Sequence, residues 1–199
     1  MQKLLIATTN NAKLEEYRRH LADLPLELVS LKDLGLKPVE EMGETFEENA
    51  LLKARAYAKE SGLPTLADDG GLEIEALGGE PGVRSHRWVG DKDNSDEELI
   101  AEVLKRMKGV IPEQRGAQMR VVLALKVNDE EHIAEGITEG SIAEEAGMHE
   151  PGFPYRALLY VPRYSKLYSE LTPEEHEEVN QRVKALVMLK PIIREMLCS

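Results

Sequence analysis

Residues 119–140 constrain the fold more tightly than any other stretch. Met119 to Asn128 and Glu131 to Gly140 read as two long strands with a turn at Asp129. Strands joined by so short a turn must lie side by side in one sheet. The N-terminal third has another rhythm. Lys3 to Thr8 reads as a buried strand, Asn11 to Leu21 as a helix and Leu26 to Leu31 as a second strand. Thr45-x-x-Glu48 is a capping box that opens a helix to about Gly62, and Ser95-x-x-Glu98 opens another to about Lys108. Between them, Thr65 to Asp68 is a short strand end, and Leu72 to Ala76 is extended before the turn-rich Gly78-Gly79-Glu80-Pro81-Gly82. Ala157 to Val161 is a further strand. Thr172-Pro173-x-Glu175 caps a last helix that should end or kink near Pro191. Early strand–helix alternation with a strand-rich middle predicts an α/β fold, a mixed sheet flanked by helices.

With 199 residues the chain can build one substantial core, as a single domain or as two lobes sharing a sheet. Its 25 basic and 37 acidic residues give a net charge of −12, which argues against a groove that tracks a nucleic-acid polymer. A small anion remains compatible, since a few lysines and a metal reverse the sign locally. Cys198 is the only cysteine, so no intrachain disulfide forms. The apolar run Leu4 to Ala7 is too short for a signal peptide, and the run Val121 to Leu125 is far too short for a membrane span. A reducing, cytoplasmic setting is expected.

Three constellations carry chemistry. Thr8-Thr9-Asn10-Asn11-Ala12-Lys13 lies between a strand end and a helix start, where backbone N–H groups, the helix dipole and Lys13 favour an anion. Taken alone it also reads as an ordinary helix cap. Asp68-Asp69-Gly70-Gly71 follows a short apolar strand, and paired carboxylates there can hold Mg²⁺ and polarise water. Asp-Gly also makes common turns. Glu40 and Glu41, just before Gly43, offer a further carboxylate. Lys53 sits at the edge of the helical stripe formed by Phe46, Ala50, Ala54 and Tyr57, where lysines ordinarily snorkel. From there it also reaches toward a phosphate between helix and sheet.

Order and spacing say more than each motif alone. Thr-x-Asn-x-x-Lys, Thr-Phe-x-Glu-Asn-Ala-x-x-Lys-Ala, Ala-Asp-Asp-x-Gly-Leu and Gly-Gly-Glu-Pro-Gly-Val-x-Ser-x-Arg together resemble the inosine/xanthosine triphosphate pyrophosphatase family. The resemblance is tight from residue 3 to about residue 90. It implies an elongated mixed sheet with a cleft between two lobes, a homodimer, and Mg²⁺-dependent conversion of inosine or xanthosine triphosphates to monophosphate and pyrophosphate. It further implies that Thr8, Thr9, Asn10, Lys13, Lys53 and Gly70 line the substrate. Asp69 would be the general base or metal ligand, Asp68 would stand beside it, and Glu41 or Glu40 would complete the metal site.

The second half departs from the family pattern at the positions used for the base. Gly-Phe-Gly-(Tyr/Trp)-Asp-Pro appears as Gly152-Phe153-Pro154-Tyr155-Arg156-Ala157, so an acceptor-only carboxylate becomes a donor-only guanidinium. Ser-His-Arg appears as Asn180-Gln181-Arg182, and an upstream lysine falls on His176. Phe153, Tyr155, Arg156, His176, Gln181 and Arg182 are thus the candidate base-reading set. A site with its hydrogen-bonding sense inverted loses its former preference. Inosine triphosphate should therefore be favoured over adenosine triphosphate by less than about 10²-fold in kcat/KM. A larger preference, unchanged in Arg156→Asp, would overturn this expectation.

Overall fold

The computed structural model describes residues 1–90 and 93–198. Among the described residues, five α-helices and seven strands follow in the order β1 (Gln2–Ala7), α1 (Asn11–His20), β2 (Leu26–Ser30), α2 (Phe46–Ser61), β3 (Thr65–Ile74), α3 (Asp96–Arg106), β4 (Gly116–Val127), β5 (Glu130–Ile142), β6 (Leu159–Val161), β7 (Lys166–Leu167), α4 (Pro173–Val179) and α5 (Gln181–Leu197). One sheet takes the order β2-β1-β3-β4-β5-β6-β7. β1 pairs in parallel with both β2 and β3, while β6 pairs antiparallel with β5 and β7. The mixed α/β sheet expected from the sequence is present. All three capping boxes form at Thr45, Ser95 and Thr172.

The chain forms two compact units. The first comprises Met1–Asp69, Val121–Gly136 and Arg182–Ser199, and the second Gly70–Arg120 and Ile137–Gln181. In the first, alternation along the strands sends Leu4, Ile6, Leu66, Val121, Leu123 and Leu125 to one face, against Leu14 and Tyr17 of α1 and Ala185, Leu186, Leu189 and Ile193 of α5. Helix α2 lies against β1 and buries Phe46, Ala50, Ala54 and Tyr57. In the second, Leu72, Ile74, Met119 and Ile142 from the strands pack with Leu99, Val103 and Met107 around α3. Buried Arg115 closes this core by donating to the carbonyls of Met107, Ile142 and Ala143 at 3.0, 2.6 and 2.7 Å. The Met107 carbonyl belongs to the C-terminal end of α3, where a cation is favoured.

Three local expectations change. Residues 157–161 divide into a 3-10 turn over Pro154–Ala157 and a shorter strand beginning at Leu159. The helix begun at Pro173 ends at Val179, and Pro191 lies inside α5 rather than at its end. A proline there removes the partner of the carbonyl four residues back. That residue, Val187, is 62% exposed, so its carbonyl can turn to water.

The third change bears on the site. Residues 65–74 form one continuous strand, with no turn at Asp69-Gly70-Gly71. Gly71 is needed for close approach: a Cβ there would lie 1.8 Å from Ser85 Oγ and 2.7 Å from the Gly82 carbonyl. The Ser85 hydroxyl meets the Leu72 N–H and donates to Gly82, so it has little freedom to withdraw. Gly71→Ala should therefore destabilise the protein by about 2 kcal/mol, the scale of overpacking. Thermal unfolding checks this, and an unchanged midpoint would contradict the close approach.

Candidate active site

The candidate site grows from the last residues of β3 within the first unit. Successive side chains on a strand point to opposite faces, so Asp68 follows Leu66 toward α1 and α5, while Asp69 faces α2. Asp68 is 2% exposed and meets Lys13 Nζ at 2.9 Å and Arg182 Nη2 at 3.3 Å. Arg182 also binds Glu16 at 2.5 Å, and its guanidinium lies over the Tyr17 ring. Asp69 meets Lys53 Nζ at 3.4 Å, and Lys53 donates to Glu41 at 2.7 Å.

These surroundings drive the adjacent carboxyls apart. Burial pushes Asp68 upward, but Lys13, Arg182 and Lys53 together outweigh it and hold the group well below the usual carboxylate range. Burial also pushes Asp69 upward; Lys53 opposes, Glu41 reinforces, and the balance stays raised. Lys53 is 9% exposed, and the desolvation that would discharge it is overcome by Asp69, Glu41 and Asp68. It is a buried, charged lysine rather than a snorkelling one. Neighbouring carboxyls pushed in opposite directions are the pattern of a fixed anion beside a poised base. Asp69 Oδ2 is buried and has no hydrogen-bond partner among the described residues.

In the Thr8–Lys13 segment the helix-cap reading is realised. Asn10 caps α1, its side chain accepting from the amides of Ala12 and Lys13 at 2.9 and 3.2 Å. Thr8 is partly buried and receives the Asn10 N–H at 3.2 Å, while Thr9 is exposed. Two first-turn amides are thus already satisfied, and the Lys13 ammonium is the positive group presented at Asp68.

Among the described residues, no group of three or more His, Cys, Asp or Glu side chains would hold a metal ion unaided. Glu41 is partly buried beside Lys53, and Glu40 is exposed. A hard divalent cation such as Mg²⁺ needs only one or two carboxylates when substrate phosphates and water complete its shell. Glu41, with the Asp69 carboxyl beside it, fits that requirement. Glu16, Asp68, Asp69 and Glu41 meet Lys13, Lys53 and Arg182 in these ion pairs.

The second unit carries the rest of the candidate set. Arg156 is 4% exposed; its guanidinium stacks 3.5 Å from the Phe153 ring centroid, lies over Tyr168 and binds Glu150 at 3.0 Å. His176 meets Tyr168 edge to face. The Tyr155 hydroxyl donates to the Ser85 carbonyl. Thr138 hydrogen-bonds the Val179 carbonyl and the Gln181 side chain. Gly70 is partly buried at the start of this unit. Arg182 is separated from its sequence neighbour Gln181 in role: it belongs to the Asp68 cluster of the first unit.

Sequence reasoning missed Glu16 and Asn49. Glu16 is a buried acid on α1 whose partner, Arg182, is distant in sequence, so no local spacing signals it. Asn49 is a buried amide on the stripe between Phe46 and Lys53.

The Ham1 family pattern matches residues 4–192, nearly the whole chain. The chain belongs to the Ham1 family. A dITP/XTP pyrophosphatase from Yersinia pseudotuberculosis is 41% identical over 199 residues, covering 98% of this Ham1 chain and all of the relative. The HAM1 protein of Coxiella burnetii superposes with a TM-score of 0.87 at 37% identity, covering 98% of this chain and 100% of that one. The Staphylococcus aureus Ham1 protein gives a TM-score of 0.83 at 32% identity, covering 98% and 99%.

For this Ham1 chain, the two aspartates should respond oppositely to neutralisation. Asp68→Asn leaves Lys13 and Arg182 short of a buried partner and should cost about 3 kcal/mol. The folded pKa of Asp69 lies above its unfolded value, so its ionised form opposes folding at neutral pH. That opposition fades as pH falls through the folded pKa toward the unfolded one. Asp69→Asn should accordingly raise the melting temperature at pH 7 in metal-free buffer, with the gain shrinking on acidification. Parallel shifts in both variants would refute the division of roles.

Proposed function

We propose that this chain hydrolyses inosine and xanthosine triphosphates, ribo or deoxy, to the nucleoside monophosphate and pyrophosphate. One observation carries the mechanism: Asp69 is a buried carboxyl with a raised pKa and an unpartnered oxygen, fixed beside a charged lysine. Its Oδ2 accepts a proton from a water whose oxygen attacks the α-phosphorus in line. The bond to the bridging oxygen of the β-phosphate breaks, and pyrophosphate leaves with those electrons. Lys13 and Lys53 hold the phosphates as charge develops. Asp68, with its depressed pKa, remains an anion that keeps Lys13 and Arg182 aimed. Thr8, Thr9 and Asn10 order the phosphate-side loop.

Glu41 and Asp69 would hold the Mg²⁺, with Glu40 outside the immediate contact. Bound there, it would supply positive charge to the triphosphate. Phe153, Tyr155, Arg156, His176 and Gln181 are the proposed base-selecting group. Because Arg156 is already engaged by Phe153 and Glu150, the reading includes a relaxed preference among 6-oxo purines and other bases. We further propose one catalytic domain over residues 1–199, acting as a cytoplasmic homodimer. The resemblance supports the dimer. The lone cysteine is consistent with a reducing compartment, and no helix among the described residues is long and apolar enough to cross a membrane.

The test is pyrophosphate release from a nucleotide panel. Wild-type protein should release it with Mg²⁺ and stop in EDTA. Asp69→Asn should lower kcat by about 10²-fold or more while still binding nucleotide. Undiminished hydrolysis in metal-free buffer, or near wild-type kcat in Asp69→Asn, would refute the mechanism. Nucleotide binding without turnover would instead mark a non-catalytic relative.

A further inference from the structure

The segment between β2 and α2 carries Glu41, and three side chains of α2 bind it in register. Asn49 Oδ1 accepts the Gly43 N–H at 2.8 Å, and its Nδ2 donates to the Gly43 carbonyl at 3.4 Å. Lys53 donates to Glu41 at 2.7 Å. The Tyr57 hydroxyl accepts the Val39 N–H at 3.0 Å. Residues 49, 53 and 57 thus meet 43, 41 and 39, four helical residues for every two of the segment. Four residues of helix advance about 6.0 Å, and two of near-extended chain about 6.6 Å. The two rises match, so the pairs form a ladder running antiparallel to the helix.

The ladder is built from buried parts. Asn49 is 2% and Tyr57 2% exposed. A Cβ on Gly43 would fall 2.6 Å from Asn49 Oδ1, so the backbone approaches the amide as closely as it can.

We propose that Asn49 and Tyr57 are positioning residues, the two outer rungs that hold Glu41 in register with Lys53 and Asp69. This rests on the pyrophosphatase reading for its catalytic consequence, though the ladder itself does not. Neither residue needs to touch substrate. Loosening a rung lets Glu41 move out of register with Lys53 and Asp69.

Tyr57→Phe removes one hydrogen bond and keeps the ring, while Gly43→Ala wedges the segment from Asn49 without altering that side chain. Each should lower kcat, Gly43→Ala by about tenfold or more, with KM moving less than kcat. Amide hydrogen exchange, which requires no turnover, should quicken at Val39 in both variants. A purely structural role would lower the melting temperature and leave kcat and KM in place, overturning the proposal. Unchanged exchange at Val39 in both variants would overturn it as well. If the wild type releases no pyrophosphate, the functional reading fails separately, and exchange alone decides whether the ladder holds the segment.

Discussion

Strand β3 carries Asp68 and Asp69 at adjacent positions, and the pleat sends them to opposite faces of the sheet. One enters a layer of α1 and α5 that already holds Lys13 and Arg182; the other enters the layer of α2, where Lys53 is its nearest cation. The different chemistry of two identical side chains follows from that single geometric rule. A turn at Asp69-Gly70 would have placed both carboxyls in one solvated corner, with no reason for their properties to diverge. Continuity of the strand through Gly71 is therefore a condition of the site, and it depends on a glycine that lets Ser85 approach.

Charge organises the remainder. A buried lysine retains its proton when carboxylates outweigh the loss of water, and Lys53 does so between Glu41 and Asp69. Arg182 does the same between Glu16 and Asp68. Arg115 in the second unit takes another course, spending its donors on backbone carbonyls at the end of α3 and the end of β5. Lys13, Lys53 and Arg182 are tied to carboxylates; Arg115 is tied to the backbone, and its work is structural.

Much of this was legible in the sequence. Capping boxes at Thr45, Ser95 and Thr172 located three helix starts, because an N-cap interaction is local and needs no tertiary context. The buried charged residues Lys13, Lys53, Asp68 and Asp69 could be singled out from their motifs and the family resemblance. What stayed hidden was decided by contact between distant segments. The extended path through Gly71 depends on Ser85, fourteen positions on. The pairing of Arg182 with Glu16 joins the two ends of the chain, and no periodicity reports it. Arg156 was legible as a change of hydrogen-bonding sense, but its stacking on Phe153 and pairing with Glu150 required the fold.

Each lysine of the site already has a carboxylate at salt-bridge distance. In the proposed reaction, admission of a phosphate is an exchange of partners, in which one anion takes a place that another vacates. A cation whose water has already been stripped by burial offers little extra attraction to a bare anion, because its charge is largely spent on its neighbours. An anion that brings its own countercharge meets a different balance, since the displaced carboxylates acquire something to hold. Under the proposed function, the cluster would be a filter on the ionic form of what enters, set by stoichiometry of charge rather than by shape.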